Sequence, residues 1–148
     1  MVAYRQVLIV VLAWACASLH YCTKASYDRT LKKRICNGET YSQHELFFYQ
    51  QEDYECAVNT AITAILKYTK GHTSNGYIYG GKCSDGGQAY VYGYGFCRSE
   101  LSAEDCNNCM ADAKDSLFKE CTHSVGAQVE LQDCRIRYEN YRFMDYPS

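Results

Sequence analysis

The sequence predicts an α+β fold in which two helices pack against an antiparallel sheet, stapled by disulfides. Three observations carry this reading. Two stretches place apolar residues at helical spacing, a glycine- and tyrosine-rich stretch and a C-terminal stretch alternate with a period of two, and ten cysteines crowd into 148 residues.

The chain begins with a lone cation, Arg5, an apolar run from Val7 to Ala15, and small residues at Ala15 and Ala17. That is the plan of a signal peptide, and the run falls short of the roughly 20 apolar residues that cross a bilayer. Residues 1–17 are therefore expected to be a signal peptide, with cleavage after Ala17 or as late as Ala25. The first site removes Cys16 and leaves nine cysteines; the second also removes Cys22 and leaves an even eight. Residues 26–148 are expected to form one domain, since this length leaves no room for two ordinary cores. No second long apolar stretch follows, and Arg142 to Ser148 carry neither a retention signal nor a lipid-anchor tail. The expectation is a secreted, extracellular protein with no membrane span. A formal net charge of −2 argues against the basic surface that nucleic acids select.

Residues 26–51 are mixed and polar and read as short strand and loop, with Lys32-Lys33-Arg34 just before Cys36. From Glu52 to Lys70, Tyr54, Val58, Ile62, Ile65 and Leu66 recur at helical spacing, and Gly71 terminates the run. Between Gly71 and Gly95, glycines interleave with Tyr77, Tyr79, Tyr90, Tyr92 and Tyr94, as strands joined by turns do. Tyr90, Tyr92, Tyr94 and Phe96 share one strand face. Burial patterns favour a helix-covered core face for them over a platform for sugar rings.

The second helix starts at a capping-box signal, Ser102 with Asp105, continues through Cys106, Cys109, Met110, Ala113 and Leu117, and runs to about Lys119. After Gly126, Val129 and Leu131 alternate with polar residues, and so do Cys134, Ile136 and Tyr138. The apolar parity switches between the two sets, which requires a bulge or sharp bend near Gln132-Asp133.

Cysteines in an oxidising compartment pair, and about four disulfides would supplement a modest core. A zinc site on Cys106 and Cys109 would need two further ligands, and no second cysteine pair of that spacing supplies them. A redox-active pair belongs near a βαβ pattern in a reducing compartment. No metal and no cofactor is expected. Nor is an enzyme: His44, His72 and His123 sit in no recognised catalytic context, and Glu52, Asp53 and Glu55 suit a helix N-terminus. The chain has no Asn-X-Ser/Thr triplet, so a sugar in its function would be a ligand rather than an attached glycan.

The most specific motif is Tyr92-Gly93-Tyr94-Gly95-Phe96-Cys97, followed by Cys106 and Cys109 in a C-X8-C-X2-C spacing. With Cys36-Asn37 upstream and Gly126 to Cys134 downstream, it resembles the ginkbilobin-like (salt-stress response/antifungal) domain of land plants, over roughly Cys36 to Phe143. The resemblance implies two helices on a five-stranded antiparallel sheet, and bridges Cys36 with Cys121, Cys97 with Cys106 and Cys109 with Cys134. Eight cysteines could otherwise pair in on the order of a hundred ways. Cys56 and Cys83 lie outside that six-cysteine core and, being left over, are expected to form a fourth bridge.

The resemblance also implies a mannose site made by an asparagine, an arginine and a glutamate, at positions that read here Asn37, Gln128 and Glu139. An amide both donates and accepts, and a carboxylate takes charge-assisted bonds from vicinal hydroxyls. Gln128 replaces a planar cationic fork by a neutral amide, which leaves open whether mannose affinity is weakened, shifted or lost. On the residues alone, Asn37 reads as a turn residue, and Glu139 as a solvent-facing strand residue paired with Arg135 or Arg137. The function implied is that of an apoplastic defence lectin binding mannose-containing glycans on fungal cell surfaces. The alternative is an extracellular module with an apoplastic protein partner and no sugar ligand.

Overall fold

In the computed structural model, the described residues are 27–41, 51–69, 77–81 and 89–145. The signal-peptide expectation and Gly71 lie outside them. Elements follow in the order β1 (Leu31–Cys36), α1 (Gln51–Thr69), β2 (Tyr77–Gly81), β3 (Val91–Cys97), α2 (Ala103–Glu120), β4 (Ala127–Leu131) and β5 (Cys134–Glu139). The strands pair antiparallel in one sheet, ordered β1-β4-β5-β3-β2. The architecture is thus α+β, with both helices on one face of the sheet.

Apolar spacing explains the helices. On α1, Tyr54, Ala57, Val58, Ala61, Ile62 and Ile65 are buried, and on α2, Cys106, Cys109, Met110, Ala113 and Leu117. Each set is a single stripe, so each helix buries one side against the sheet. The expected cap opens α2: the Asp105 amide donates to Ser102 Oγ at 3.1 Å, and that hydroxyl donates to Asp105 Oδ2 at 2.6 Å. Thr69 closes α1 by donating its hydroxyl back to Ile65 O at 3.0 Å.

The face of β3 that meets the helices corrects the expectation. Tyr90, Tyr92, Tyr94 and Phe96 do not lie under the helices; Val91, Gly93, Gly95 and Cys97 do. A Cβ on Gly93 would strike Ile65 Cδ1, and one on Gly95 would strike Ile65 Cγ2 and come within 2.7 Å of Met110 Cε. Helix α1 therefore approaches the sheet more closely than a side chain at those positions would permit, and Met110 of α2 fills the space beside it. The aromatic rings stand on the opposite face, with Tyr90 exposed, Tyr92 and Phe96 half-buried and Tyr94 buried.

Of the two alternatives for Gln132-Asp133, a bulge or a sharp bend, the structure has the bend. The parity switch is not a bulge within one strand but a two-residue reversal: β4 ends at Leu131, β5 begins at Cys134, and Glu130 pairs with Arg135. Asp133 braces the turn, since its carbonyl accepts from the Arg98 amide at 2.9 Å and its carboxylate from the Asp28 amide at 2.7 Å.

Disulfides join Cys36 to Cys121, Cys97 to Cys106 and Cys109 to Cys134, with Cα separations of 5.2, 5.7 and 6.1 Å. These are the three pairings the resemblance implies. Cys106 and Cys109 are thereby spent in separate bridges that tie consecutive turns of α2 to β3 and β5. Cys56 is also disulfide-bonded; Cys83, its expected partner, lies outside the described residues. Among the described residues, no helix is long and apolar enough to cross a membrane.

Candidate functional site

The candidate site is assembled where α2 ends and β4 begins. The Cys36–Cys121 bridge pins the end of β1 to the end of α2. His123 then takes a left-handed backbone conformation, φ 59°, which turns the chain back toward β4. Residues 37–41 run beside this reversal: the Asn37 amide donates to Gly126 O at 2.9 Å, the Val125 amide to Glu39 O at 3.1 Å, and the Tyr41 amide to His123 O at 2.8 Å. From beneath, two buried tyrosines hold the turn. Tyr54 donates its hydroxyl to Val125 O, and Tyr138 donates to Ser124 O at 2.7 Å. Burial pushes both phenols far above their ordinary pKa, with the nearby Glu139 charge adding to it, so they remain donors.

On this support Asn37 and Glu139, far apart in sequence, meet: Asn37 Nδ2 donates to Glu139 Oε2 at 3.2 Å. Gly126 lies directly beneath the contact. A Cβ there would strike Glu139 Oε2 and come within 2.6 Å of Asn37 Nδ2, so it would push the pair apart. Glu139 is only 6% exposed, which corrects its reading as a solvent-facing residue. The period of two puts it on the helix-free face, but its neighbours enclose it.

One of those neighbours is Arg137, whose Nε donates to Glu139 Oε1 at 2.9 Å. Arg135 instead pairs with Asp145 at 2.6 Å. The segment after β5 doubles back across the sheet, so Phe143 lies under the Arg137 guanidinium, 4.2 Å from ring centroid to Cζ. Burial alone would pull the Arg137 pKa down. The bond and charge of Glu139, with Tyr141 and Asp145 beyond it, outweigh burial and hold the guanidinium above its ordinary value. The third expected residue, Gln128, is paired across the strands with Arg137 and is buried on the same face. Tyr92 stands opposite Glu139 on the other side, a half-buried ring beside the polar cluster.

Asn37 and Glu139 are therefore in contact, while Gln128 reaches the cluster through Arg137 rather than through a hydrogen bond to either. Gly126 and Arg137 were not among the expected site residues. Arg137 was legible in principle, because it shares a strand face with Glu139 two positions away. Gly126 carried no signal beyond being a glycine before a strand. A separate concavity, lined by Lys32, Phe96, Arg98, Asp133 and Arg135 among others, lies at the opposite end of β4 and β5 and contains none of the three residues expected to hold a sugar.

A family model described as salt stress response/antifungal matches residues 35–141. The chain belongs to this family. Antifungal protein ginkbilobin-like protein 1 of Picea sitchensis is 33% identical over 78 residues, covering 52% of this chain and 59% of that protein. Antifungal protein ginkbilobin-2 of Ginkgo biloba is 32% identical over 87 residues, 57% and 65% of the two chains. The matches thus span about three fifths of the length of these relatives. Among solved structures, the tandem DUF26 ectodomain of the Arabidopsis thaliana cysteine-rich receptor-like protein PDLP8 superposes with a TM-score of 0.63. It is 22% identical, and the match covers 79% of this chain and 51% of that one. At that identity the likeness speaks to the fold. All four cysteines of the Cys97–Cys106 and Cys109–Cys134 bridges, together with Asn37, Gln128 and Glu139, fall within the segment that the salt stress response/antifungal family model matches.

Proposed function

We propose that this protein is a secreted plant defence lectin that binds mannose-containing glycans on fungal surfaces and acts by recognition without turnover. Residues 1–17 would direct its export, and residues 26–148 would form its single apoplastic domain. The observation that carries the reading is the contact of Asn37 with Glu139 above a glycine whose Cβ would push the pair apart. An amide and a carboxylate held in fixed register are complementary to vicinal hydroxyls, and a preformed cluster loses little conformational freedom on binding. The names of the Picea and Ginkgo relatives support the antifungal part of the reading.

The experiment is a glycan array probed with the refolded mature protein and with Asn37→Ala and Glu139→Ala. The parent should bind mannose-terminated glycans, and each variant should lose about ten-fold or more, the worth of a charge-assisted hydrogen bond. A parent with no glycan signal would overturn the lectin reading. It would favour the alternative, an extracellular protein-interaction module, which the likeness to a receptor-like ectodomain supports at the level of fold.

A further inference from the structure

We infer that Arg137 supplies the cationic donor fork of this site from β5, in place of a cation at position 128, and that the site selects uncharged sugars with vicinal hydroxyls. The inference rests on the reading of the Asn37–Glu139 cluster as a sugar site.

Register is the first argument. Gln128 and Arg137 are directly paired across β4 and β5, on the helix-free face. Directly opposed residues of an antiparallel pair have Cβ atoms about 5 Å apart, well within the length of an arginine side chain. A guanidinium rooted on β5 therefore serves the same patch of surface as one rooted on β4.

The second argument is how the guanidinium is held. Its Nε is committed to Glu139 Oε1 at 2.9 Å, and one Nη2 proton points to Tyr141 Oη at 3.4 Å. Phe143 supports its plane. Among the described residues Arg137 makes no other hydrogen bond; its Nη1 stands 3.7 Å from Asp145 Oδ2, an ion pair too long to be a hydrogen bond, so a proton on each terminal nitrogen remains for a ligand. Held by Glu139 on one edge and a ring on one face, the fork is pre-organised at little further entropic cost.

Gln128 provides the third. Its side chain makes no hydrogen bond among the described residues although the residue is only 8% exposed. An amide beside an arginine fork offers a ligand one acceptor and two donors.

Charge decides the ligand class. Arg137 stands within 2.9 Å of Glu139 and 3.7 Å of Asp145, and Arg135 is paired with Asp145 at 2.6 Å. Two guanidiniums face two carboxylates, and the further cation Arg142, over the Tyr92 ring at the edge of the cluster, is exposed and screened by water, so little net positive field is left to attract a uronate, sialate or phosphate. Its donors and acceptors match neutral hydroxyls.

The test measures binding of a mannan oligosaccharide and of an oligogalacturonate to the mature protein, to Arg137→Gln, to Arg137→Lys and to the double variant Gln128→Arg/Arg137→Gln, with thermal unfolding of each. The parent should bind the neutral oligosaccharide and not the anionic one. Arg137→Gln should lose about ten- to a hundred-fold in affinity, the range for a charge-assisted hydrogen bond. Arg137→Lys, which keeps the charge without the fork, should also weaken binding. The double variant should recover most of the loss by returning a guanidinium to the neighbouring strand. Undiminished binding in Arg137→Gln would overturn the role of Arg137. So would failure of a double variant that melts like the parent to recover affinity. Preference for the oligogalacturonate would overturn the ligand class. A parent that binds neither would overturn the sugar-site reading itself, and the inference with it.

Discussion

Replacing Cys36 and Cys121 together by alanine is expected to lower stability by about 4–5 kcal/mol, the largest effect among the three bridges with assigned partners. The cysteines are 85 residues apart in sequence, against 25 for Cys109–Cys134 and 9 for Cys97–Cys106. A crosslink restricts the unfolded chain more when it closes a longer loop. The same chain-entropy relation gives roughly 2–3 kcal/mol for the nine-residue closure. Cys36 is exposed whereas Cys97 is fully buried, so the longer bridge can be removed with less loss of packing. Urea unfolding of the two double variants distinguishes the contributions, and equal losses would show that loop length does not govern them. Affinity should fall as well, because Asn37 directly follows the bridged Cys36 and loses its covalent tether to the turn that carries Gly126.

Gly95→Val is expected to destabilise the fold by about 3 kcal/mol or more, the upper part of the range for overpacking. Its Cβ would land on Ile65 Cγ2 and within 2.7 Å of Met110 Cε, with Thr69 Cγ2 at 3.3 Å, so α1, which carries Ile65 and Thr69, would have to move and the Met110 thioether to swing aside. Branching at Cβ leaves no rotamer that escapes them. For a domain of this size the loss corresponds to roughly 10 °C in melting temperature. A double-mutant cycle with Ile65→Ala checks the mechanism. If the clash is the cause, Gly95→Ala should cost clearly less in the Ile65→Ala background than in the parent; strictly additive losses would place the cause elsewhere.

That glycine face explains which parts of the molecule were legible in the sequence. The helices were, because Tyr54 to Ile65 and Cys106 to Leu117 each repeat at a period only a helix can place on one side. The start of α2 was legible to the residue, because Ser102 and Asp105 carry the chemistry of the cap. Strand β3 has two self-consistent parities, and ring size favoured burying Tyr92, Tyr94 and Phe96. What wins instead is the close approach of α1, a tertiary property. Cys97 held the one local clue: it shares the glycine parity, and its bridge to Cys106 on α2 requires that face to look toward the helices. The turn at Gln132-Asp133 was visible as a parity break, but a break does not say whether the strand bulges or the chain bends.

The site was legible in its two ends and not in its middle. Asn37 and Glu139 follow from motif position. Arg137 was visible only as a pairing partner for Glu139; a role as donor to a ligand comes into view only when β4 and β5 pair and set it directly opposite Gln128. Gly126 is needed for the space above it, and empty space leaves no mark in a residue pattern.

The placement of β1 has a consequence for motion. It is a rim strand, with all six residues exposed and its pairing irregular between Leu31 and Lys33, whereas its far end is bolted to α2 through Cys36. Both ends are therefore held, the far one covalently at Cys36 and the near one by the non-covalent contacts of Tyr27, Asp28 and Thr30, so loosening should begin at the irregular pairing after Leu31 and die out toward Cys36. Amide protons along β1 would exchange along a gradient, slowest beside Asn37. The proposed recognition cluster then sits at the quiet end of a restless strand, and the rim can loosen without blurring the geometry that a ligand would read.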